Sequence, residues 1–290
     1  MRIDGHTEVY GLIGKPVGHT VSPALHDAFA RVCGRSLVYV PFQVDGDLGA
    51  AVKGAYELNI RGLNVTVPYK SRVIPFLSDI DEEAHLLGAV NTLVRVPGGY
   101  KGYNTDLAGL KKAVHADGIK LSGRPVMIIG AGGAARAASF AAAKESPSVL
   151  IIVNRTPAKA RLLAEEVRKA FPGLKTAEGS LEDAGGLISG SGGHAAVFQC
   201  TSAGLYPETG ECPVSDPEVF RGTEYGFDLI YNPEETLFMK RVRQSGGTAR
   251  NGLAMLLYQG AASFELWTGE KIGDEALEEA MRTLSRAVQA

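Results

Sequence analysis

Along most of the chain, short runs of β-branched and aromatic residues alternate with stretches whose apolar positions recur every three or four residues. Between Glu8 and Pro97 the runs VYGLIG, SLVYVPF, GLNVTV and NTLVRV predict strands, while SPALHDAFARV and DEEAHLLGAV predict helices, a rhythm of βαβ units. Gly98-Gly99 predicts a tight hairpin turn ahead of a strand over Tyr100–Asn104. A helix from about Leu107 to Ala116 and the turn LSGRP lead into a second series, VMII, SVLIIV, AAVFQC and EYGFDLI, separated by helical or Gly-rich connections. That series predicts a mostly parallel sheet with helices on both faces. Within it, GGLISGSGG at Gly185–Gly193 reads as a loop. From Gly252 to Ala290 the pattern is helical, with no strand signal. The fold class expected is α/β with two domains.

Size agrees, since 290 residues at 45% hydrophobic content are enough for two cores. The net charge is -2 and the Lys and Arg residues are scattered, so the chain has no basic stripe to grip a phosphate backbone, and nucleic acid is not an expected partner. Cys33, Cys200 and Cys212 are odd in number and lack metal-ligand spacing, which fits a reducing compartment. The opening MRIDGHTEVYGLIG has no signal-like apolar run, and nothing later reaches the roughly 18 apolar residues of a membrane helix. A cytoplasmic location is expected, without a membrane partner.

The segment VMIIGAGGAARAA sets a hydrophobic strand before Gly130, Ala131, Gly132, Gly133 and Ala134, and a helix of small residues after them. A glycine pattern gains meaning from that strand and helix: Gly130 permits the sharp turn, Gly132 lets backbone approach a pyrophosphate, and Ala135 is the third small position. Backbone N–H groups and the positive end of the helix dipole would face the phosphates. At the end of the next strand an NAD site would carry an acidic residue for the ribose 2′-hydroxyl, but the chain reads Asn154-Arg155-Thr156, with Lys159 nearby. A guanidinium suits a 2′-phosphate, so NADP is the expected cofactor. Arg155 and Lys159 also read as solvated charges at a helix start.

GKPVGHTVSPALHD at Gly14–Asp27, NVTVPYK at Asn64–Lys70, GAVNT at Gly88–Thr92 and YNTD at Tyr103–Asp106 together resemble the shikimate dehydrogenase family. GAGGAARA, NRT at Asn154–Thr156, DLIYNP at Asp228–Pro233 and NGLAMLLYQG at Asn251–Gly260 continue the series in order, over nearly the whole chain. The resemblance implies an NADP-dependent enzyme interconverting 3-dehydroshikimate and shikimate on the route to chorismate and the aromatic amino acids. It also implies a substrate domain of residues 1–107 with 252–290, and a Rossmann-like NADP domain of residues 108–251, their ligands meeting in a cleft. Lys70 and Asp106 are the implied catalytic pair. Thr20, Ser22, Thr66, Asn91, Tyr231 and Gln259 are the implied substrate ligands, and Gly252 joins the cofactor set.

Elementary chemistry agrees. Ketone reduction needs a hydride at carbon and a proton at the developing alkoxide, and Lys70 is a candidate donor. Pro68 predicts the first position of a helix, with Lys70 in its first turn beside the positive dipole end, and Asp106 opposing that effect as a neighbouring carboxylate. On position alone Lys70 is a surface charge, Asp106 an N-cap for the helix from Leu107, and Ser22 an N-cap before Pro23; Tyr231 and Gln259 read equally as packing residues.

One departure from the family pattern is Thr20, where serine is usual; the added methyl crowds the carboxylate end of the pocket, which keeps quinate open as an alternative or second substrate. His19 and His26 lack a third ligand, so no metal is predicted; His19 reads as a loop residue and His26 as a helix residue. A non-catalytic sensor of the ring compound is the rival from another class, disfavoured by retention of both Lys70 and Asp106. A monomer or homodimer is expected.

Overall fold

A computed structural model of the chain describes residues 3–289; Met1, Arg2 and Ala290, which the expected substrate domain includes, lie outside the described residues. The chain divides into two compact units, residues 1–109 with 256–290 and residues 110–255.

The first unit begins with β1 (Glu8–Gly14), α1 (Ser22–Val32), β2 (Leu37–Gln43), α2 (Leu48–Glu57) and β3 (Gly62–Val65). It continues with β4 (Asp79–Ile80), α3 (Glu82–Leu87), β5 (Thr92–Val96), β6 (Gly99–Tyr103) and the start of α4 (Asp106–Ala116). Its sheet runs β2-β1-β3-β5-β6-β4, with β1 parallel to β2 and β3, and β5 antiparallel to both β3 and β6. Val96 pairs with Gly99, so the hairpin turn is Pro97-Gly98, one residue earlier than expected, and Gly98 supplies the positive φ of 87°. All four residues of β3 are buried, which is why GLNV reads as a continuous run rather than an alternation. Its Asn64 is therefore a polar side chain that must find partners inside.

No α-helix begins at Pro68. The chain leaves β3 through turns, the Val67–Pro68 peptide being cis, and meets only a 3-10 turn at Ile74–Phe76. Lys70 thus sits in a turn and not in the first turn of a helix of its own. Tyr69 anchors that turn instead, its buried ring donating from the phenol to the Val44 carbonyl at 2.6 Å.

The second unit strings β7 (Pro125–Ile129), α5 (Gly133–Lys144), β8 (Val149–Val153), α6 (Pro157–Ala170), β9 (Thr176–Gly179) and α7 (Ala184–Gly190). Next come β10 (Ala195–Gln199), α8 (Pro217–Arg221), β11 (Thr223–Asp228), α9 (Leu237–Gln244) and β12 (Thr248–Arg250). All strand pairs are parallel in the order β12-β11-β10-β7-β8-β9, so the chain reverses direction of travel at β7, the kind of switch point where open α/β sheets bind ligands beyond their carboxyl ends. The segment expected to be a loop at Gly185–Gly193 overlaps α7. Burial of Ala184 and Ile188 against the core outweighs the poor helix propensity of its glycines.

Two helices finish the chain: α10 (Leu253–Thr268) and α11 (Asp274–Gln289). From Leu256 onward they belong to the first unit, where α11 packs along α1 and the Trp267 indole donates to the Leu93 carbonyl at 2.9 Å. No helix among the described residues is long and apolar enough to cross a membrane.

Candidate active site

Lys70 and Asp106 are brought together although they lie 36 residues apart, with Nζ 2.6 Å from Oδ2. The side chains are 31% and 14% exposed, so the ammonium is reachable from solvent while the carboxylate is largely enclosed. Asp106 is the first residue of α4, not its N-cap, which is Thr105, and the Asp106 N–H is received by Asn104 Oδ1 at 3.1 Å. Release from capping leaves both carboxylate oxygens for side chains. Oδ2 receives Lys70, and Oδ1 receives the Asn91 amide at 2.8 Å.

The Asn91 amide has only one workable orientation. Its Oδ1 accepts the Thr105 backbone N–H at 2.7 Å, which turns its NH2 group toward Asp106 and the Thr105 hydroxyl. Behind it lies a buried polar layer that the sequence reading did not identify, made of Asn64, Thr92, Thr105 and Ser263. Asn64 Nδ2 reaches the Asn91 carbonyl at 3.1 Å, and Asn64 Oδ1 accepts the Tyr39 phenol at 2.8 Å. Placement of Asn64 and Thr92 on adjacent buried strands was the available signal, because a polar side chain there requires partners.

Among the other expected substrate ligands, Thr20 and Ser22 meet at the start of α1. The Thr20 hydroxyl donates to Ser22 Oγ at 3.1 Å and accepts the Ser22 N–H at 3.3 Å. Ser22 is the first helical residue rather than the cap, which is Val21. Thr66 follows β3, and Gly14 makes room for it, since a Cβ there would collide with the Thr66 methyl. Gln259 on α10 turns back on its own helix, donating to the Leu256 carbonyl at 3.0 Å. Tyr231 belongs to the second unit, its phenol pushed up by burial. His19 is exposed in the loop before α1. His26 is buried against Tyr39 with ring centroids 4.3 Å apart, and burial pushes its imidazole down to about 3.

In the second unit the glycine turn has the shape a pyrophosphate needs. Gly130 has φ of 121°, and a Cβ there would lie 3.2 Å from the Cys200 carbonyl oxygen, so the turn excludes side chains. At Gly132, which caps α5, and at Gly133, an added Cβ would meet nothing within 4 Å. That open space fronts the first N–H groups of α5, so the residues fit a bound phosphate. Ala131 is half-buried, Ala134 exposed, and Ala135 buried against the sheet. Asn154 folds its amide onto the Thr156 carbonyl at 3.0 Å, leaving Arg155 and Lys159 exposed beside it. Among the described residues neither cation has a carboxylate partner. Gly252 is buried under the Leu229 carbonyl, where no side chain fits.

Gln199 and Asp228, both buried at the ends of neighbouring strands, organise the adjoining loops. Gln199 accepts the Thr201 N–H at 2.5 Å and donates to the Ala203 carbonyl at 3.0 Å. Asp228 accepts the Thr236 hydroxyl at 2.6 Å and the Ile230 N–H at 3.0 Å, yet burial still pushes its carboxyl up to about 6.

Three family models match the chain: the shikimate dehydrogenase substrate binding domain over residues 12–93, shikimate / quinate 5-dehydrogenase over 111–206, and the shikimate 5′-dehydrogenase C-terminal domain over 252–282. A shikimate dehydrogenase (NADP(+)) of Caldanaerobacter subterraneus subsp. tengcongensis is 41% identical, covering 97% of this chain and 99% of that relative. A solved shikimate dehydrogenase in complex with NADP+ superposes with a TM-score of 0.90 at 35% identity, covering 99% of this chain and 98% of the other. The Thermus thermophilus enzyme, solved with NADP(H) and shikimate, gives 0.83 at 33% identity, covering 97% and 99%. With both units matched and the alignments spanning 97% or more of the chain, the chain belongs to the shikimate dehydrogenase family.

Proposed function

We propose that the protein is an NADP-dependent shikimate dehydrogenase that interconverts 3-dehydroshikimate and shikimate. The observation that carries this reading, within a chain of this family, is the 2.6 Å contact between Lys70 Nζ and Asp106 Oδ2. In the reductive direction, bound NADPH supplies the hydride to the carbonyl carbon. As the C=O π bond breaks toward oxygen, the Lys70 ammonium gives a proton to the developing alkoxide. Asp106 keeps the ammonium aimed and accepts a hydrogen bond from a ring hydroxyl. Solvent restores the proton, for which the partly exposed Lys70 is accessible. In the oxidative direction the lysine amine removes the hydroxyl proton.

Thr20 and Ser22 offer hydroxyls to the ring carboxylate, while Thr66, Asn91, Gln259 and Tyr231 serve the ring hydroxyls. Gly130, Ala131, Gly132, Gly133 and Ala134 shape the turn that receives the dinucleotide, and Gly252, packed under the Leu229 carbonyl, contributes to the cofactor site through its backbone. Asn154, Arg155, Thr156 and Lys159 take the adenosine end, with Arg155 and Lys159 on the 2′-phosphate. In this reading residues 1–107 with 252–290 bind substrate and residues 108–251 bind NADP. We extend it to a cytoplasmic enzyme acting as a monomer or homodimer, without a nucleic-acid or membrane partner.

The test is consumption of NADPH absorbance with 3-dehydroshikimate, then its appearance with shikimate and NADP+. Folded protein that turns over neither substrate would sink the proposal. Quinate is the second substrate to assay, because the Thr20 methyl alters the carboxylate end of the pocket.

A further inference from the structure

We infer that Ser263 on α10 is a positioning residue for the Asp106 carboxylate. Ser263 is fully buried beside Gly260, Ala261 and Phe264. A serine in such a place normally satisfies itself by donating to the carbonyl four residues back, and Ser263 does so, to Gln259 at 3.0 Å. That bond alone would suffice. Yet polar side chains from β3, β5 and the residue preceding α4 also converge on its oxygen: Asn64 Nδ2 at 3.0 Å, Thr92 Oγ1 at 2.9 Å and Thr105 Oγ1 at 3.1 Å.

Counting protons shows what the convergence does. With its own hydrogen committed to Gln259, Ser263 can only accept from the others, and its two lone pairs are filled by an Asn64 N–H and one threonine hydroxyl. The other threonine hydroxyl then has two acceptors in reach, the first threonine's oxygen at 3.2 Å and Asn91 Oδ1, 3.0 Å from Thr92 and 3.2 Å from Thr105. Only Asn91 Oδ1 still has a lone pair facing the layer once the first threonine accepts an amide N–H from Asn64 or Asn91. This second donor reinforces the orientation already set by the Thr105 N–H. The Asn91 NH2 group stays on Asp106 Oδ1, and Oδ2 stays available to Lys70. A rotated amide would instead set its carbonyl oxygen against a carboxylate, which is repulsive. Ser263 touches neither Lys70 nor Asp106 and acts through Thr92, Thr105 and Asn91.

The consequence for turnover rests on the dehydrogenase reading, whereas the orientation of Asn91 does not, so one full-length variant tests both. In Ser263→Ala, hydrogen exchange of the Asn91 side-chain amide, read by NMR without substrate, is expected to accelerate about tenfold as the layer loses its acceptor. We expect kcat to fall roughly five- to twentyfold and KM for shikimate to rise by clearly less, about two- to threefold, because Asn91 and Asp106 contact the ring in the proposed reading but the larger loss is in aiming Lys70. The control is Thr268→Ala, which removes a similar bond to the Phe264 carbonyl on the same helix without touching the layer, and should leave exchange at Asn91 and kcat unchanged. If Ser263→Ala does not fold, Ser263→Cys, a weaker acceptor of similar size, is expected to give intermediate values of both readouts. Wild-type exchange at Asn91 in the folded variant, or an equal change in Thr268→Ala, overturns the inference. Wild-type protein without turnover overturns the dehydrogenase reading, and the exchange comparison still decides the role of Ser263.

Discussion

The two units prepare for ligands in opposite ways. In the first, side chains are present and constrained: Lys70, Asp106 and Asn91 are linked to a buried layer in which each polar atom limits what its neighbour can do. In the second, side chains are absent where it matters: Gly130 makes the turn with its own N–H bonded to the Val153 carbonyl, and Gly132 and Gly133 front open space at the start of α5. A site that must move a proton needs titratable groups held at fixed angles, whereas one that holds phosphate needs backbone donors and room. Damage to the first should therefore appear in rates, and damage to the second in affinity.

The sharpest break in that comparison comes from Lys70→Ala. We expect kcat to fall about 10²- to 10⁴-fold, as for other lost acid–base groups, with NADP+ affinity within about twofold. An unchanged kcat in steady-state assays removes Lys70 from the chemistry. Next in size, Arg155→Ala should cut the preference for NADP+ over NAD+ about 10- to 100-fold by losing charge-assisted bonds to the 2′-phosphate, leaving kcat with saturating cofactor nearly intact. Equal cofactor ratios in the variant and the parent would show that Arg155 is merely solvated. Gly132→Ala is a smaller and more selective probe. Its Cβ meets nothing in the protein, so thermal stability should hold while KM for NADPH rises about tenfold from the loss of close approach. A lowered melting temperature with unchanged KM would contradict the space-for-phosphate reading.

Acid separates the units by the sign of their buried groups. His26 lies among Tyr39, Phe29, Phe264 and Trp267 with neither ring nitrogen in a hydrogen bond of ordinary geometry, and burial, opposed only weakly by the nearby Asn64 side chain, lowers it from 6.5 to about 3. The unfolded chain therefore takes up a proton first, and the first unit loses stability as pH falls from 6.5 toward 3, by on the order of 4 kcal/mol. Asp228 is raised from 3.8 to about 6, so the folded chain takes up its proton first, and the second unit instead loses stability as pH rises from 3.8 through 6. Trp267, the single tryptophan, lies 5.1 Å from His26 and reports on the first unit alone. On acidification its fluorescence transition should precede the far-ultraviolet circular dichroism change of the remainder. Coincident transitions would mean that these two groups do not set the order.

Particular elements explain what was legible in the sequence. The central strands of the second unit stand out because strands buried on both faces are unbroken apolar runs, as in VMII and AAVF. Its edge strands β9 (TAEG) and β12 (TAR) do not, being short, polar and half-solvated. In the first unit the resemblance of NVTVPYK and YNTD to the family singles out Lys70 and Asp106, which position alone does not. Local rules nevertheless predict a helix at Pro68 that does not form, and a capping task for Asp106, because they do not reveal that α4 starts at Asp106 itself, with Asn104 receiving its N–H. Ser263 escapes altogether. Its partners Asn64 and Thr105 are 199 and 158 residues away, and within an apolar helix one hydroxyl looks like a tolerated substitution.

That separation carries a consequence for how the protein is made. Chains emerge from the ribosome N-terminus first, and distant pairings are the slow ones to form. The glycine turn at residues 130–135, proposed to hold phosphate, can close while synthesis continues. Asn64, Thr92 and Thr105, by contrast, must wait with unmet polar groups until α10 arrives. The second unit closes at residue 255, so a nascent chain can complete the proposed nucleotide cradle before the proposed proton-transfer pair is aimed, and a truncation between residues 255 and 263 should yield a nucleotide binder with little power of turnover.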